Sequence, residues 1–102
     1  MERDPELIRH VVICGRVQGV GYRAWTEYTA IEHGLEGWVR NRRDGTVEAV
    51  FAGPSDKVAM MIRACGVGPR GARVTAVDER EGSAEDLALR HPDAVFSVLR
   101  TA

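Results

Sequence analysis

The chain has 102 residues, 44% of them hydrophobic and 28% charged, and 14 Lys and Arg against 15 Asp and Glu leave a net charge of −1. That length suits one domain around one modest core, taken here as 1–102, and the composition excludes a disordered chain. The near-zero charge excludes a global electrostatic footprint for nucleic acid or an anionic membrane, so any anion site must be local.

No apolar run approaches the roughly 18 residues of a membrane-crossing helix. The opening stretch MERDPELIRH is charged and lacks the apolar segment of a secretory signal. Cys14 and Cys65 are far apart, sit among apolar residues and read as small core residues rather than as a disulfide. His10, His33 and His91 are scattered, and no clustered Cys/His set suggests zinc. The expectation is a cytoplasmic monomer without metal or cofactor and without nucleic-acid or membrane contacts.

In chain order, LIRHVVIC (7–14) is β-branched and apolar, a good buried strand. A glycine-rich loop follows. YRAWTEYTAIEH (22–33) carries Ala24, Trp25, Tyr28 and Ile31 at mixed helical spacing, with Gly34 placed for a left-handed stop. LEGWVRN (35–41) and TVEAVFA (46–52) alternate as strands, and Asp44-Gly45 between them is a hairpin signal. GPSDKVAMMIRACG (53–66) is the clearest helix: Ser55 or Asp56 would cap it, and Val58, Met61, Ile62 and Cys65 form one stripe. One of Met60 and Met61 should be core. ARVTAVDER (72–80) predicts a fourth strand, the polar segment 82–93 a loop with at most a turn of helix, and AVFSVLR (94–100) a final strand. There is no internal repeat and no linker. The order β-α-β-β-α-β predicts an α+β fold, the ferredoxin-like split βαβ sandwich, with two helices on one face of an antiparallel sheet.

The loop CGRVQGVGYRAW raises the functional question. Glycines between a strand and a helix let backbone N–H groups converge on an anion, and the helix N-terminus adds partial positive charge. The spacing G-x₃-G-x-G is not a nucleotide fingerprint, and no GK[ST] follows. Alone, the loop is equally compatible with a plain connection. Arg23 falls in the first turn of the predicted helix, where a cation opposes the macrodipole. A bound anion between it and the loop amides would relieve that, and a guanidinium grips two phosphate oxygens at once. The alternative is an arginine pointing into solvent. Asn41, ending the second strand beside the turn, is either a turn former or an amide that donates and accepts at once, as holding an attacking water requires.

GRVQGVGYR, GLEGWVRN, DGTVE and GPRGARV occur in the order and approximate spacing of the acylphosphatases, which the chain resembles closely over 8 to about 78 and loosely in the final strand. The resemblance implies a small sandwich that hydrolyses acyl phosphates, which are carboxyl-phosphate mixed anhydrides, to a carboxylate and inorganic phosphate. By position, the family's catalytic arginine matches Arg23 and its asparagine Asn41. The phosphate cradle matches the backbone amides of Arg16, Val17, Gln18, Gly19 and Val20. Gly21 is bulkier in some relatives, Tyr22 stands where phenylalanine is common, and 82–93 departs most from the family pattern.

That chemistry suits the sparse inventory. The leaving carboxylate has a conjugate-acid pKa of about 4–5, so it needs no general acid. Phosphoryl transfer is mainly positioning and electrostatic stabilisation, which Arg23 and the amides would supply. Arg40, Arg42 and Arg43 are either a solvated cluster or a steering patch for anionic substrates. Trp25 and Trp38 read as core or sheet-face packing, and His33 as complementing the end of the first helix. Two other readings stay open: a non-catalytic module that binds an acyl or carbamoyl phosphate, and an RNA-binding ferredoxin-like domain. The 6% aromatic content and the absence of an RNP-like run disfavour the latter.

Overall fold

The computed structural model describes residues 6–102, so the charged stretch 1–5 lies outside the described residues. The elements run β1 (Glu6–Arg16), α1 (Tyr22–Glu32), β2 (Glu36–Asn41), β3 (Val47–Pro54), α2 (Ser55–Cys65), β4 (Arg73–Glu81), α3 (Ala84–Leu87) and β5 (Phe96–Val98). They form one sheet in the order β4-β1-β3-β2-β5. The first four strands make the expected antiparallel split βαβ sheet, with Val11 opposite Ala49 and Val39 opposite Ala49. The sheet as a whole is mixed, because β5 pairs parallel to β2, Trp38 opposite Ser97. β5 is also shorter than the expected 94–100.

The helix-side face of the sheet supplies Val11, Ile13, Val39, Ala49 and Phe51 to the core, against Tyr22, Ala30, Val58, Met61 and Cys65 from α1 and α2. On α2 the expected stripe holds, with Met61 buried and Met60 exposed. Its cap differs: Pro54 occupies the N-cap with no side-chain bond, and Asp56 contributes only charge to the first turn. On α1 the buried stripe is Tyr22, Thr26 and Ala30, spaced by fours, whereas Tyr28 and Ile31 are exposed. Thr26 fits the interior because its hydroxyl donates to the Tyr22 carbonyl at 2.8 Å. Of the apolar residues at mixed spacing, only Trp25 packs against the core, from its margin.

Both cysteines are free; Cys65 is buried and Cys14 only half-buried. Beside Cys14 the β1–β4 register shifts. At the shift Gly15 (φ 123°) lies against β4, where a Cβ would run into the Arg73 carbonyl oxygen.

The far face of the sheet is covered over β2 and β3, while Ala76, Asp78 and Arg80 of β4 stay exposed. Residues 82–95 run from β4 at one edge to β5 at the other. Trp38 Nε1 donates to the Asp86 carbonyl at 2.7 Å, Arg90 pairs with Glu36 at 2.5 Å, and the His91 amide donates to Ser97 Oγ at 3.0 Å. A capping box between Ser83 and Asp86 starts α3. The expected turn of helix is therefore present, and it lies on the face opposite α1 and α2.

Candidate active site

The loop between β1 and α1 owes its shape to two glycines in the left-handed region, Gly19 at φ 75° and Gly21 at φ 79°. Gly21 is the N-cap of α1, without a side-chain cap, and the first turn of the helix holds no acidic residue. The first N–H groups of a helix have no intrahelical partner, so this end keeps its donors and its positive potential. Arg23, second in the helix, lines the same hollow.

Asn41 arrives from β2. Its backbone carbonyl accepts from the Ala102 amide at 3.0 Å, which ties the strand end to the C-terminal segment beyond β5. Its side-chain Oδ1 is buried without a hydrogen-bond partner in the described structure. A buried acceptor left unmatched costs roughly 1–3 kcal/mol. Gln18 joins the two halves: its side-chain amide donates to the carbonyls of Arg42 at 2.7 Å and Thr46 at 2.9 Å. The loop is thereby fastened to the turn that follows Asn41.

Together these elements enclose a cleft of about 350 Å³ with Gly19, Gly21, Arg23 and Asn41 on its walls. Of the sequence-derived cradle, Val17, Gln18 and Gly19 line the cleft. Arg16 instead ends β1 in register with Arg73, and Val20 turns its side chain onto the core. Ala24, Glu27 and Val98 also line the cleft, and the sequence reading passed over all three. Glu27 was findable, since it stands one helical turn beyond Arg23.

The basic cluster beside Asn41 divides. Arg40 turns to the far face, where Nε donates to Glu48 Oε1 at 2.6 Å and the guanidinium lies 4.7 Å from the Trp38 ring centroid. Arg42 is half-buried and Arg43 exposed. Trp38 is buried as sheet-face packing, and half-buried Trp25 packs edge-on to Tyr22. Tyr22 fixes the start of α1, its hydroxyl donating to the Cys65 carbonyl at 2.6 Å. Burial lifts the hydroxyl pKa well above its usual value and pushes the Cys65 thiol up to about 12, so neither group is an acid or nucleophile at neutral pH. His33 Nδ1 donates to the Thr29 carbonyl at 2.8 Å, a helix-end contact.

Fold and cleft together define a ferredoxin-like α+β domain with an anion-receptive junction between strand and helix. The sequence profile of the acylphosphatases matches residues 9–89. An acylphosphatase of Rhodopseudomonas palustris (strain BisB18) is 58% identical over 95 residues, covering 93% of this chain and 96% of its own. One from Bradyrhizobium diazoefficiens is 56% identical over 94 residues, covering 92% and 95%. The solved structure of an acylphosphatase from Coxiella burnetii superposes with a TM-score of 0.81 at 32% identity, covering 92% of this chain and 93% of that one. The chain belongs to the acylphosphatase family. It is an enzyme whose substrate is a small-molecule acyl phosphate, hydrolysed to a carboxylate and inorganic phosphate.

Proposed function

We propose that hydrolysis takes place in the cleft between the glycine loop and Asn41, by in-line attack of water on a phosphoryl group held by backbone amides and Arg23. The loop amides, from the end of β1 through Val17, Gln18, Gly19 and Val20, and the uncapped first turn of α1 receive the equatorial oxygens. The Arg23 guanidinium takes two of them as a fork. Asn41 orients the water through its side-chain amide. The carboxylate leaves unprotonated, because its basicity is low. The water's proton passes to the phosphoryl group itself, since neither the loop nor the β2 end carries a strong base.

The observation that carries this reading is that Asn41 and Arg23 line the same cleft, with the Asn41 side-chain Oδ1 committed to no hydrogen bond. A turn former would use its oxygen on nearby backbone; here Asp44 does that work, accepting from the Thr46 amide at 3.0 Å. We further infer a single cytoplasmic domain over 1–102, monomeric, with no cofactor, nucleic acid or membrane in its work. No described helix is long and apolar enough to cross a membrane. The β2–β3 part of the far sheet face is covered by 82–95 with Trp38 buried beneath, whereas an RNA-binding domain of this fold uses exposed aromatic residues on that face.

Asn41→Ala decides the mechanism. Losing one preorganised hydrogen bond at the reacting centre costs about 3–4 kcal/mol in the barrier, roughly 10²–10³ in kcat. The inhibition constant of inorganic phosphate, a competitive ligand of the loop, should barely move. A variant with native kcat and a lowered urea midpoint would return Asn41 to a purely structural role. A non-catalytic binding module would hold acetyl phosphate without turning it over.

A further inference from the structure

Beyond the loop, Arg23 and Asn41, the cleft is walled by Ala24 and Glu27 from α1 and Val98 from β5. Glu27 follows Arg23 by four residues, so both project from one helix face. Among the described residues the two are not joined by an ion pair, and Glu27 pairs with no other cation. A half-buried carboxylate thus faces a cleft whose other charged group is an arginine. Its negative charge repels the phosphoryl group, so it takes no part in gripping the phosphoryl oxygens. It is placed instead to act on the part of the substrate outside the cradle.

We propose that Glu27 sets the charge selectivity of the enzyme, favouring acyl phosphates with an uncharged or cationic acyl group over those whose acyl group carries a second anion. This rests on the placement of the phosphoryl group proposed above. Ala24 and Val98 offer small apolar contacts to a short acyl chain, and Glu27 meets whatever charge that chain bears. At about 6 Å and an effective dielectric of about 40–80, two like charges shift a rate ratio by about three- to tenfold. Repulsion of the phosphoryl group is common to all substrates and cancels when two acyl phosphates are compared.

The test compares acetyl phosphate with succinyl phosphate, whose acyl chain ends in a carboxylate, on the wild type, Glu27→Gln and Glu27→Lys. Both variants are first checked for native circular dichroism and urea midpoint. Glu27→Gln keeps the shape and should raise kcat/KM for succinyl relative to acetyl phosphate by about three- to tenfold at low salt. Glu27→Lys should raise the ratio further. The differences should shrink at about 1 M salt, where the Debye length is about 3 Å. Equal ratios in all three proteins, with acetyl phosphate still hydrolysed, would overturn the role of Glu27 and leave the site standing. A wild type that turned over neither compound would overturn both.

Discussion

Arg23 stands where helix electrostatics alone disfavours a cation, in an uncapped first turn without an acidic neighbour. In the proposed mode of binding, a dianion shared by the guanidinium and the loop amides would turn that local penalty into a binding contribution. Arg23→Lys keeps the charge and loses the planar fork, so a folded variant should lose most of its kcat and bind phosphate more weakly. Near-native turnover would shift the anion site elsewhere. Next to it, the Tyr22 hydroxyl ties the start of α1 to the end of α2 through the Cys65 carbonyl. Tyr22→Phe removes that donor and should cost roughly 1–2 kcal/mol in urea unfolding. Its kcat should stay close to native, since the ring still packs. A large loss of kcat with unchanged stability would mean that the hydroxyl works in the cleft. Arg23 and Asn41 stood out in the sequence through their positions relative to the glycines and the turn. The orphaned Oδ1 did not, since only packing shows which polar atoms lack a partner.

At the scale of elements, β2 and β3 hold Asn41 partly through a charged cluster on the far face. His10 Nε2 donates to Glu48 Oε2 at 2.7 Å, and Arg40 Nε donates to the other carboxylate oxygen at 2.6 Å. Burial by itself would raise the Glu48 pKa, but the hydrogen bonds and charges of Arg40 and His10 outweigh it and hold the pKa below the ordinary glutamate value. A carboxyl depressed on folding contributes stability that is fully present above its unfolded pKa, about 4.3, and lost as pH falls through the lower folded value. The urea midpoint of the wild type should therefore fall on acidification below about pH 4.3. Glu48→Gln should be roughly 1–3 kcal/mol less stable at neutral pH and show a flatter acid limb. Identical acid limbs would remove Glu48 from the titration. The strands were legible from their β-branched alternation. The buried face of α1 was not, because Thr26 is admitted to the core only through a hydrogen bond to Tyr22 that hydropathy ignores.

For the whole molecule, the connection from β4 to β5 matters most. Residues 82–95 cross the far face and deliver β5 beside β2, where the Leu99 amide donates to Val39 at 2.9 Å and the Ala102 amide to Asn41 at 3.0 Å. The crossing is pinned by Trp38, so Trp38→Phe removes the bond to the Asp86 carbonyl while keeping an aromatic ring. The variant should lose about 1–2 kcal/mol of stability. Amide hydrogen exchange should speed up across 84–90 before it does in β1 or β3. Uniform acceleration throughout the chain would show that the segment opens only with global unfolding.

The sequence by itself determined the strand and helix order, the two left-handed glycines of the loop, the hairpin turn and the family. Each is a local property: side-chain periodicity, backbone freedom at glycine, or short motifs in fixed order. Only the tertiary structure decided that 82–95 covers the β2–β3 part of the far face, that β5 runs parallel to β2, and that Arg40 leaves the site for Glu48. All three depend on which distant groups satisfy one another. Trp38 and Asp86 are 48 positions apart in sequence, and the indole N–H, buried on a sheet face, needed an acceptor that a polar, weakly patterned segment supplied.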